Sequence, residues 1–179
     1  MLTLIRHTTP AIDKGICYGQ LDVPLDAAAS EAQWRALQQQ LETTVKWQGV
    51  YSSPLSRCLW LAQKLAAQLA LPLYTDDRLM ELHFGKWEGL AWNELPPDEL
   101  NPWMEQFVTA APPGGESFEQ LHQRVGQWWQ QAKQPALVVT HAGVIRSLCC
   151  HVHGTPLSDA FAAYQPAYGS MIALPAGHG

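Results

Sequence analysis

The sequence predicts an α/β fold with a mostly parallel sheet, and three observations lead to that prediction. Strand-like and helix-like patterns alternate along the chain, without internal repeats or low-complexity segments. The chain has 179 residues, which suits one domain with a substantial core and is short for two. Its hydrophobic content of 47% is ordinary for a globular protein. We therefore expect a single domain over residues 1–179.

The first half of the chain opens with a strand, a loop and a helix. Residues 2–5 are apolar or β-favouring and predict a short buried strand, which a turn-rich loop follows. Residues 27–45 predict a helix, and residues 48–52 predict the next strand. Ser53 and Pro54 are then typical of a helix start, with serine as the N-cap and proline at the first helical position.

The apolar residues that follow recur at helical spacing as far as Ala70, and residues 71–75 predict a third strand. The pattern then breaks up from Asp76 to Glu116, a stretch rich in tryptophan and proline. We expect this stretch to include a small cap insertion, over about residues 82–116, rather than core sheet. Its tryptophans are expected to pack in the core and the cap.

The last part of the chain returns to regular elements. Ser117 and Gln120 have the spacing of a capping box and predict the start of a helix. The continuous apolar run at residues 136–140 is the strongest strand prediction in the chain. A helix over 143–152 with Gly154 as its stop follows, and a last strand is expected over 170–174.

Composition excludes several function classes. A net charge of −5 argues against a general binder of nucleic acid or of anionic membranes, because both need a basic face. We find no signal-peptide pattern and no apolar run long enough to span a membrane. The four cysteines have no CxxC spacing, so we expect reduced, mostly buried thiols in a cytoplasmic protein.

The chemistry is indicated by polar residues that follow the predicted strands. The carboxyl ends of parallel strands lie at one edge of a sheet, where ligands bind in open α/β folds. Residues far apart in the sequence should therefore converge in one pocket. These candidates are Arg6 and His7 after the first strand, Arg57 after the second, Glu81 after the third and His141 after the strand at 136–140.

Such a pocket is suited to a phosphate group. Guanidinium groups match phosphate oxygens with forked donors, and helix N-termini add free N–H groups. A neutral imidazole can attack the phosphorus in line to give a phosphohistidine, and Glu81 is the carboxylate that can protonate the leaving oxygen. Neighbouring arginines should lower the pKa of a histidine, which keeps it nucleophilic, while burial and bound phosphate should favour protonated Glu81.

The segments LIRHTTP, SSPLSRC, ELHFGKWEG and THAGVIR, in this order, resemble the histidine phosphatase superfamily of phosphoglycerate mutase-like proteins. The resemblance implies a three-layer α/β/α fold, with His7 as the phosphorylated nucleophile and Glu81 as the proton donor. It makes Arg6, Arg57 and His141 the residues of the phosphate pocket. It implies neither a metal ion nor a cofactor.

Within the superfamily, the segments GICYGQLDVPL, FGKWEG and GGESFEQLHQRV are similar to the α-ribazole phosphatases of cobalamin biosynthesis. The resemblance implies dephosphorylation of α-ribazole 5′-phosphate, with a broader sugar or metabolite phosphatase as the alternative. The chain departs from the family pattern at Thr8, where glycine is usual, and at Asp13, where asparagine is common. Both departures bear on the substrate more than on the chemistry.

The substrate contacts are expected from two places. The first is the loop of Tyr18, Gly19 and Gln20, together with Ala142 beside the second histidine. The second is the cap around Trp87 and Glu116. The expected partner is a small phosphorylated metabolite, and a homodimer is left open.

Three other readings use the same residues. A phosphoglycerate-type mutase would pass the phosphoryl group to a second substrate hydroxyl instead of water. A metallohydrolase would use His7, His141 and Glu81 as zinc ligands, although the two arginines would repel the cation. A non-catalytic phosphate sensor would need the arginines but no general acid. A dinucleotide-binding fold is excluded because the turn after the first strand lacks its glycines.

Overall fold

The computed structural model describes residues 1–41 and 44–175, and its centre is one five-stranded sheet. The strands are β1 (Leu2–Arg6), β2 (Val50–Ser52), β3 (Leu73–Thr75), β4 (Ala136–Thr140) and β5 (Met171–Leu174), and they lie in the order β3-β2-β4-β1-β5. β1 pairs in parallel with β4, which pairs in parallel with β2, and β2 does so with β3, whereas β5 runs antiparallel to β1. The prediction of an α/β fold with a mostly parallel sheet is confirmed.

Helices cover both faces of the sheet, which makes three layers. Because side chains alternate along a strand, Leu4 packs into the cluster beneath the helices at 118–131 and 142–153, and its neighbour Ile5 packs beneath those at 27–40 and 56–69. Both faces of the central strands are therefore buried, as their continuous apolar sequence indicates. The helices are α1 (Ala27–Gln40), α2 (Ser56–Leu69), α3 (Pro97–Glu105), α4 (Phe118–Gln131), α5 (Ala142–His153) and α6 (Ala160–Ala163).

The prediction of a helix over residues 27–45 is too long. α1 ends at Gln40, and Leu41 leaves it in an extended conformation to pack against the apolar cluster beneath α1 and α2. Residues 42 and 43 lie outside the described residues, and residues 44–45 form a bend. The predicted strands at 48–52 and 71–75 are each shortened to their last three residues.

The predicted helix start at Ser53 is also wrong. α2 begins at Ser56, and Leu55 occupies the N-cap position without a side-chain hydrogen bond to the helix. Ser53 is fully buried, and its hydroxyl is hydrogen-bonded to the ring of His141 at 2.8 Å. The side chain that resembles a cap in the sequence is therefore committed to a residue on a neighbouring strand end.

Other local predictions are confirmed. The Ser117 hydroxyl accepts from the Gln120 N–H, and the Gln120 side chain accepts from the Ser117 N–H, which completes the capping box of α4. Gly154 ends α5 in the left-handed region with φ of 68°. The four cysteines are buried, free thiols. Within residues 1–41 and 44–175, none of the helices combines the length and apolar character that crossing a membrane requires.

We call residues 82–116 the cap segment. It contains short 3-10 turns and α3, and its tryptophans form an aromatic cluster of their own. Leu82, Phe84, Trp103 and Phe107 also join the cap to the core cluster beneath α4 and α5. Trp87 is 2% exposed, and its ring lies 5.5 Å from that of Trp103 and 6.3 Å from that of Trp92, between ring centres. The tryptophans therefore pack the cap, as the sequence predicts.

Candidate active site

The register of the central strands brings His7 and His141 together. Arg6 of β1 pairs with Thr140 of β4, so the two histidines leave the sheet side by side. The His7 N–H donates to the Thr140 carbonyl at 2.9 Å, and the two imidazole ring centres are 5.1 Å apart. Both side chains are buried, with 2% of His7 and none of His141 exposed.

His7 is held as a neutral imidazole with a defined tautomer. Its Nδ1 lies 2.7 Å from the Thr8 carbonyl oxygen, which can only accept a hydrogen bond, so Nδ1 carries the proton. Burial, reinforced by the charges of Arg57 and Arg6, lowers the pKa of His7 to about 3. The lone pair on Nε2 is therefore available at neutral pH, as nucleophilic attack requires.

His141 is held by the end of β2. Its Nε2 is 2.8 Å from the Ser53 hydroxyl and 3.4 Å from the Cys58 sulfur. Burial, and then the proximity of His7 and Arg57, holds the pKa of His141 well below its usual range. Two neutral imidazoles thus face the same space, where two protonated rings would repel each other.

Arg6 and Arg57 frame the two histidines. Arg57 is fully buried and donates from Nη1 and Nη2 to the backbone carbonyls of Leu21 and Gly19. Arg6 donates from Nη1 to the Pro166 carbonyl at 2.8 Å. In both arginines Nε is buried and has no hydrogen-bond partner among the described residues. Buried N–H donors of a cation are costly unless an acceptor reaches them, and an anion bound between the two guanidinium groups would offset part of that cost.

Glu81 lies at the N-terminus of α5. The Gly143 N–H is 3.1 and 3.2 Å from the two carboxylate oxygens, and the Leu82 N–H donates to Oε1 at 2.9 Å. A Cβ atom at Gly143 would collide with Oε1 of Glu81, so glycine lets the carboxylate approach the helix. These contacts fix where a proton could be delivered or taken up.

Six of the nine predicted site residues meet in one pocket or hold its wall. A cavity of about 190 Å³ is lined by Arg6, Tyr18, Gly19, Glu81 and Ala142. Gln20 closes this loop against Glu81, since its side-chain amide donates to the Glu81 carbonyl at 3.0 Å. The other three predicted residues, His7, Arg57 and His141, form the buried group at the strand ends described above.

The predicted substrate loop is held by Glu88, a residue that the sequence analysis did not single out. One carboxylate oxygen of Glu88 accepts from the Gln20 N–H at 3.0 Å and from the Phe84 N–H at 2.9 Å, and the other accepts from the Leu21 N–H. Gly19 leaves no room for a side chain there, because a Cβ would collide with the Leu82 carbonyl and Glu88. Hydrogen bonds to Glu88 and from Arg57 thus hold the loop in place.

The cap around Trp87 and Glu116 borders the pocket through Phe84 and Trp92, which line the cavity beside Glu81, but Trp87 and Glu116 themselves do not line it. Trp87 is buried within the cap segment and donates from its indole nitrogen to Glu99 at 3.0 Å. Glu116 is engaged by Arg124 through two hydrogen bonds and by the His83 N–H at 3.0 Å. Both side chains therefore stabilise the cap instead of lining the pocket beside Glu81.

The two departures from the family pattern are accommodated differently. Thr8 is fully buried, and its hydroxyl accepts from the Ser30 hydroxyl at 2.8 Å while its carbonyl fixes His7. Asp13 is exposed and lines a neighbouring cavity with Tyr168 rather than the one beside Glu81. Neither side chain places a charge among the buried histidines.

Tyr168 is a further site residue that sequence reasoning missed. The Arg6 guanidinium carbon lies 3.7 Å from the centre of its ring, and the ring is 5.4 Å from that of His7. Its hydroxyl is 2.8 Å from that of Tyr18. The residue precedes β5, which is antiparallel to the others, so the search for carboxyl ends of parallel strands did not reach it.

In the described part of the chain, no three His, Cys, Asp or Glu side chains are grouped so that they could hold a metal ion. His7, His141 and Glu81, the ligand set of the metallohydrolase reading, therefore do not form such a cluster. The polar groups that converge are arginines, histidines and one carboxylate.

Comparisons with known proteins find similar phosphatases. The adenosylcobalamin/α-ribazole phosphatase of Escherichia coli strain K12 is 30% identical over 167 residues, which cover 87% of this chain and 80% of that protein. Phosphoserine phosphatase 1 of Hydrogenobacter thermophilus is 28% identical over 166 residues, which cover 88% of this chain and 78% of that protein. The crystal structure of the α-ribazole phosphatase from Shigella flexneri superposes with a TM-score of 0.84 at 26% identity, covering 95% of this chain and 87% of that one.

The family model of the histidine phosphatase superfamily (branch 1) matches residues 2–178. The match includes both histidines, both arginines and the carboxylate whose geometry is given above. On this evidence the chain belongs to branch 1 of the histidine phosphatase superfamily and is a phosphatase.

Proposed function

We propose that the protein hydrolyses phosphate monoesters through a phosphohistidine formed on His7. The observation that carries this proposal is the state of His7, a buried neutral imidazole whose proton is fixed on Nδ1 beside two guanidinium groups with unpartnered Nε–H donors. An imidazole in this state is a nucleophile, and the donors around it match the oxygens of a phosphoryl group.

In the first step the Nε2 lone pair of His7 attacks phosphorus, and the bond from phosphorus to the ester oxygen breaks. Glu81 gives its proton to that oxygen, which leaves as an alcohol. Arg6, Arg57 and His141 hold the non-bridging oxygens and stabilise the charge that develops on them. The products of this step are the free alcohol, phospho-His7 and ionised Glu81.

In the second step water attacks the phosphorus of phospho-His7. Glu81 accepts a proton from the water, the bond between nitrogen and phosphorus breaks, and inorganic phosphate is released. His7 returns to its neutral form with the proton on Nδ1, held by the Thr8 carbonyl. No metal ion or cofactor takes part in either step of the proposed cycle.

As the first candidate substrate we propose α-ribazole 5′-phosphate, a small phosphorylated metabolite. Support comes from the relatives named α-ribazole phosphatase and from the loop of Tyr18, Gly19 and Gln20, which resembles that branch and borders the pocket. Other relatives are named for other phosphate esters, phosphoserine among them, so a broader phosphatase is the alternative.

The experiment is a substrate panel with chelator present: α-ribazole 5′-phosphate, phosphoserine and an aryl phosphate, assayed with the wild type and with His7→Ala. We expect release of phosphate from at least one ester and a loss of more than about 10³-fold in His7→Ala. A matched control is His153→Asn, which changes an exposed histidine. Native-rate hydrolysis by His7→Ala contradicts the mechanism, and transfer of phosphate to an added alcohol in preference to water would favour the mutase reading.

A further inference from the structure

The pocket beside Glu81 has a cation that the proposed chemistry does not use. Arg146 lies on α5, about one helical turn beyond His141. It lines the same cavity of about 190 Å³ as Glu81, Arg6 and Ala142. His7 and Arg57 do not line this cavity, whereas Glu81, the proposed proton donor to the leaving oxygen, does. A leaving group whose oxygen lies beside Glu81 would therefore occupy this cavity.

Contacts hold the Nε and one face of the Arg146 guanidinium group, but not its two terminal nitrogens. Its Nε donates to the Tyr164 carbonyl at 3.0 Å, and its guanidinium carbon lies 4.3 Å from the centre of the Phe161 ring. Among the described residues, neither terminal nitrogen of Arg146 has a hydrogen bond or an ion pair with a carboxylate. The two Nη groups are therefore oriented in advance and remain available to a ligand.

The electrostatics of this position also indicate an anion. Burial lowers the pKa of Arg146, an effect that the charge of Glu81 opposes. A guanidinium keeps its charge at any physiological pH, so a half-buried one needs compensation. The fork of two Nη groups fits the two oxygens of a carboxylate, or two oxygens of a phosphate, by paired hydrogen bonds.

We infer that Arg146 is a second anion-binding site on the leaving-group side of the pocket, so that preferred substrates are phosphate monoesters with a second anionic group. This inference rests on the proposed phosphatase function of the same site. A phosphorylated carboxylic acid fits both sites at once, whereas α-ribazole 5′-phosphate offers Arg146 a neutral nucleoside. The two substrate classes are rivals for one pocket, and one pair of esters tests whether a second anionic group is preferred.

The pair is 3-phosphoglycerate and glycerol 3-phosphate, which share a primary phosphate ester and differ by a carboxylate. We expect the wild type to prefer 3-phosphoglycerate. In Arg146→Gln, kcat/KM for 3-phosphoglycerate should fall roughly tenfold to a hundredfold, mostly through KM, and that for glycerol 3-phosphate by about threefold or less. Arg146→Lys keeps the charge without the fork and should recover part of the loss, while Arg35→Gln, an exposed arginine on α1, should behave as wild type.

Equal use of the two esters by the wild type overturns the inference. An equal loss for both esters in a folded Arg146→Gln also overturns it, because Arg146 would then act on the phosphate or on Glu81. If the wild type hydrolyses neither ester, calorimetric binding tests the anion site on its own. Tighter binding of 3-phosphoglycerate than of glycerol 3-phosphate that Arg146→Gln abolishes would support the anion site although neither ester is a substrate, and equal binding would overturn it. The phosphohistidine mechanism is tested separately by the substrate panel and His7→Ala.

Discussion

The strand ends and the cap segment meet at the same pocket, but different forces position their side chains. His7 and His141 follow two neighbouring strands, and the hydrogen bonds of the sheet set the distance between them. The cap segment has no strand, and its shape depends on packing among Trp87, Trp92 and Trp103. The groups that need exact placement for in-line attack are thus on the most regular part of the fold.

This difference suggests that the strand ends carry out the chemistry, whereas the surrounding segments determine which substrate is bound. The buried group at the strand ends can hold a phosphoryl group whatever alcohol it is attached to. The residues that would meet the alcohol come from outside the strand ends. Phe84 and Trp92 belong to the cap segment, Tyr18 to a loop and Arg146 to α5. Glu81 is at the boundary, since it precedes the cap segment and its carboxylate contacts α5.

The largest effect on kcat is expected from a substitution of Glu81. Glu81→Gln keeps the shape of the side chain and removes its proton, so kcat for an alkyl phosphate should fall by about 10²–10⁴-fold. An aryl phosphate, whose leaving group needs little protonation, should lose much less. Steady-state assays with both esters and a phosphate-binding measurement check this, with the exposed Glu119→Gln as the control. Equal losses for both esters would remove Glu81 from the role of general acid.

A substitution at Gly143 on α5 can break the contact between this helix and the Glu81 carboxylate. Gly143→Ala should favour the helix, but its Cβ would displace the Glu81 carboxylate, so kcat should fall by about 10²-fold. The same change in the Glu81→Gln background should cost little, because the group that it displaces is already disabled. A double-mutant cycle in kcat, with melting curves for all four proteins, measures this coupling. Additive losses would show that Gly143 acts elsewhere.

The strand ends predict a pH effect. The pKa of His7 is about 3 in the folded protein, below the ordinary value of 6.5, so the unfolded chain binds more protons between these values. The free energy of unfolding should therefore fall as pH falls from about 6.5, with a slope approaching about 1.4 kcal/mol per pH unit for this histidine. Nitrogen NMR of the imidazole should find His7 neutral at pH 5, with its proton on Nδ1. A titration of His7 near pH 6.5 would contradict the account.

The smallest effect on activity is expected in the cap segment. Glu116→Gln weakens the pair with Arg124, which is nearly buried, and should lower the free energy of unfolding by about 1–3 kcal/mol. KM should change by about threefold or less, because Glu116 holds the cap and does not line the pocket. Chemical denaturation and steady-state kinetics measure the two effects separately. A large rise in KM with unchanged stability would restore Glu116 as a substrate contact.

The same contrast explains what could be predicted from the sequence. The apolar strand pattern shows where each strand ends, and a parallel sheet brings these ends together. The sequence therefore predicts that Arg6, His7 and His141 lie close to one another. Ser53 was misread because a serine before a proline fits a helix cap equally well, and only the neighbouring strand shows that its hydroxyl meets His141. Tyr168 and Glu88 lie in loops. Contacts between loops that are distant in the sequence produce no periodic pattern from which they could be predicted.

The cap segment was recognised as irregular, but its contacts were not predictable. The cap lines the pocket through Phe84 and Trp92 and not through Trp87 and Glu116. Trp87 finds its partner inside the cap, and Glu116 pairs with Arg124 of α4. Arg146 follows helical spacing and resembles an ordinary surface residue until its pocket is known. The length of α1 was overestimated because apolar spacing continues past Gln40, where Leu41 turns away to pack.

The central claim is that His7 carries the phosphoryl group. The most direct test is to quench the protein within milliseconds of mixing with a radiolabelled phosphate monoester and to identify the labelled residue by mass spectrometry. The account predicts an acid-labile, base-stable phosphohistidine at His7 that is absent from His7→Ala and accumulates when hydrolysis is slowed in Glu81→Gln with an aryl phosphate. Turnover with the label on another residue, or with no label on the protein, would contradict it.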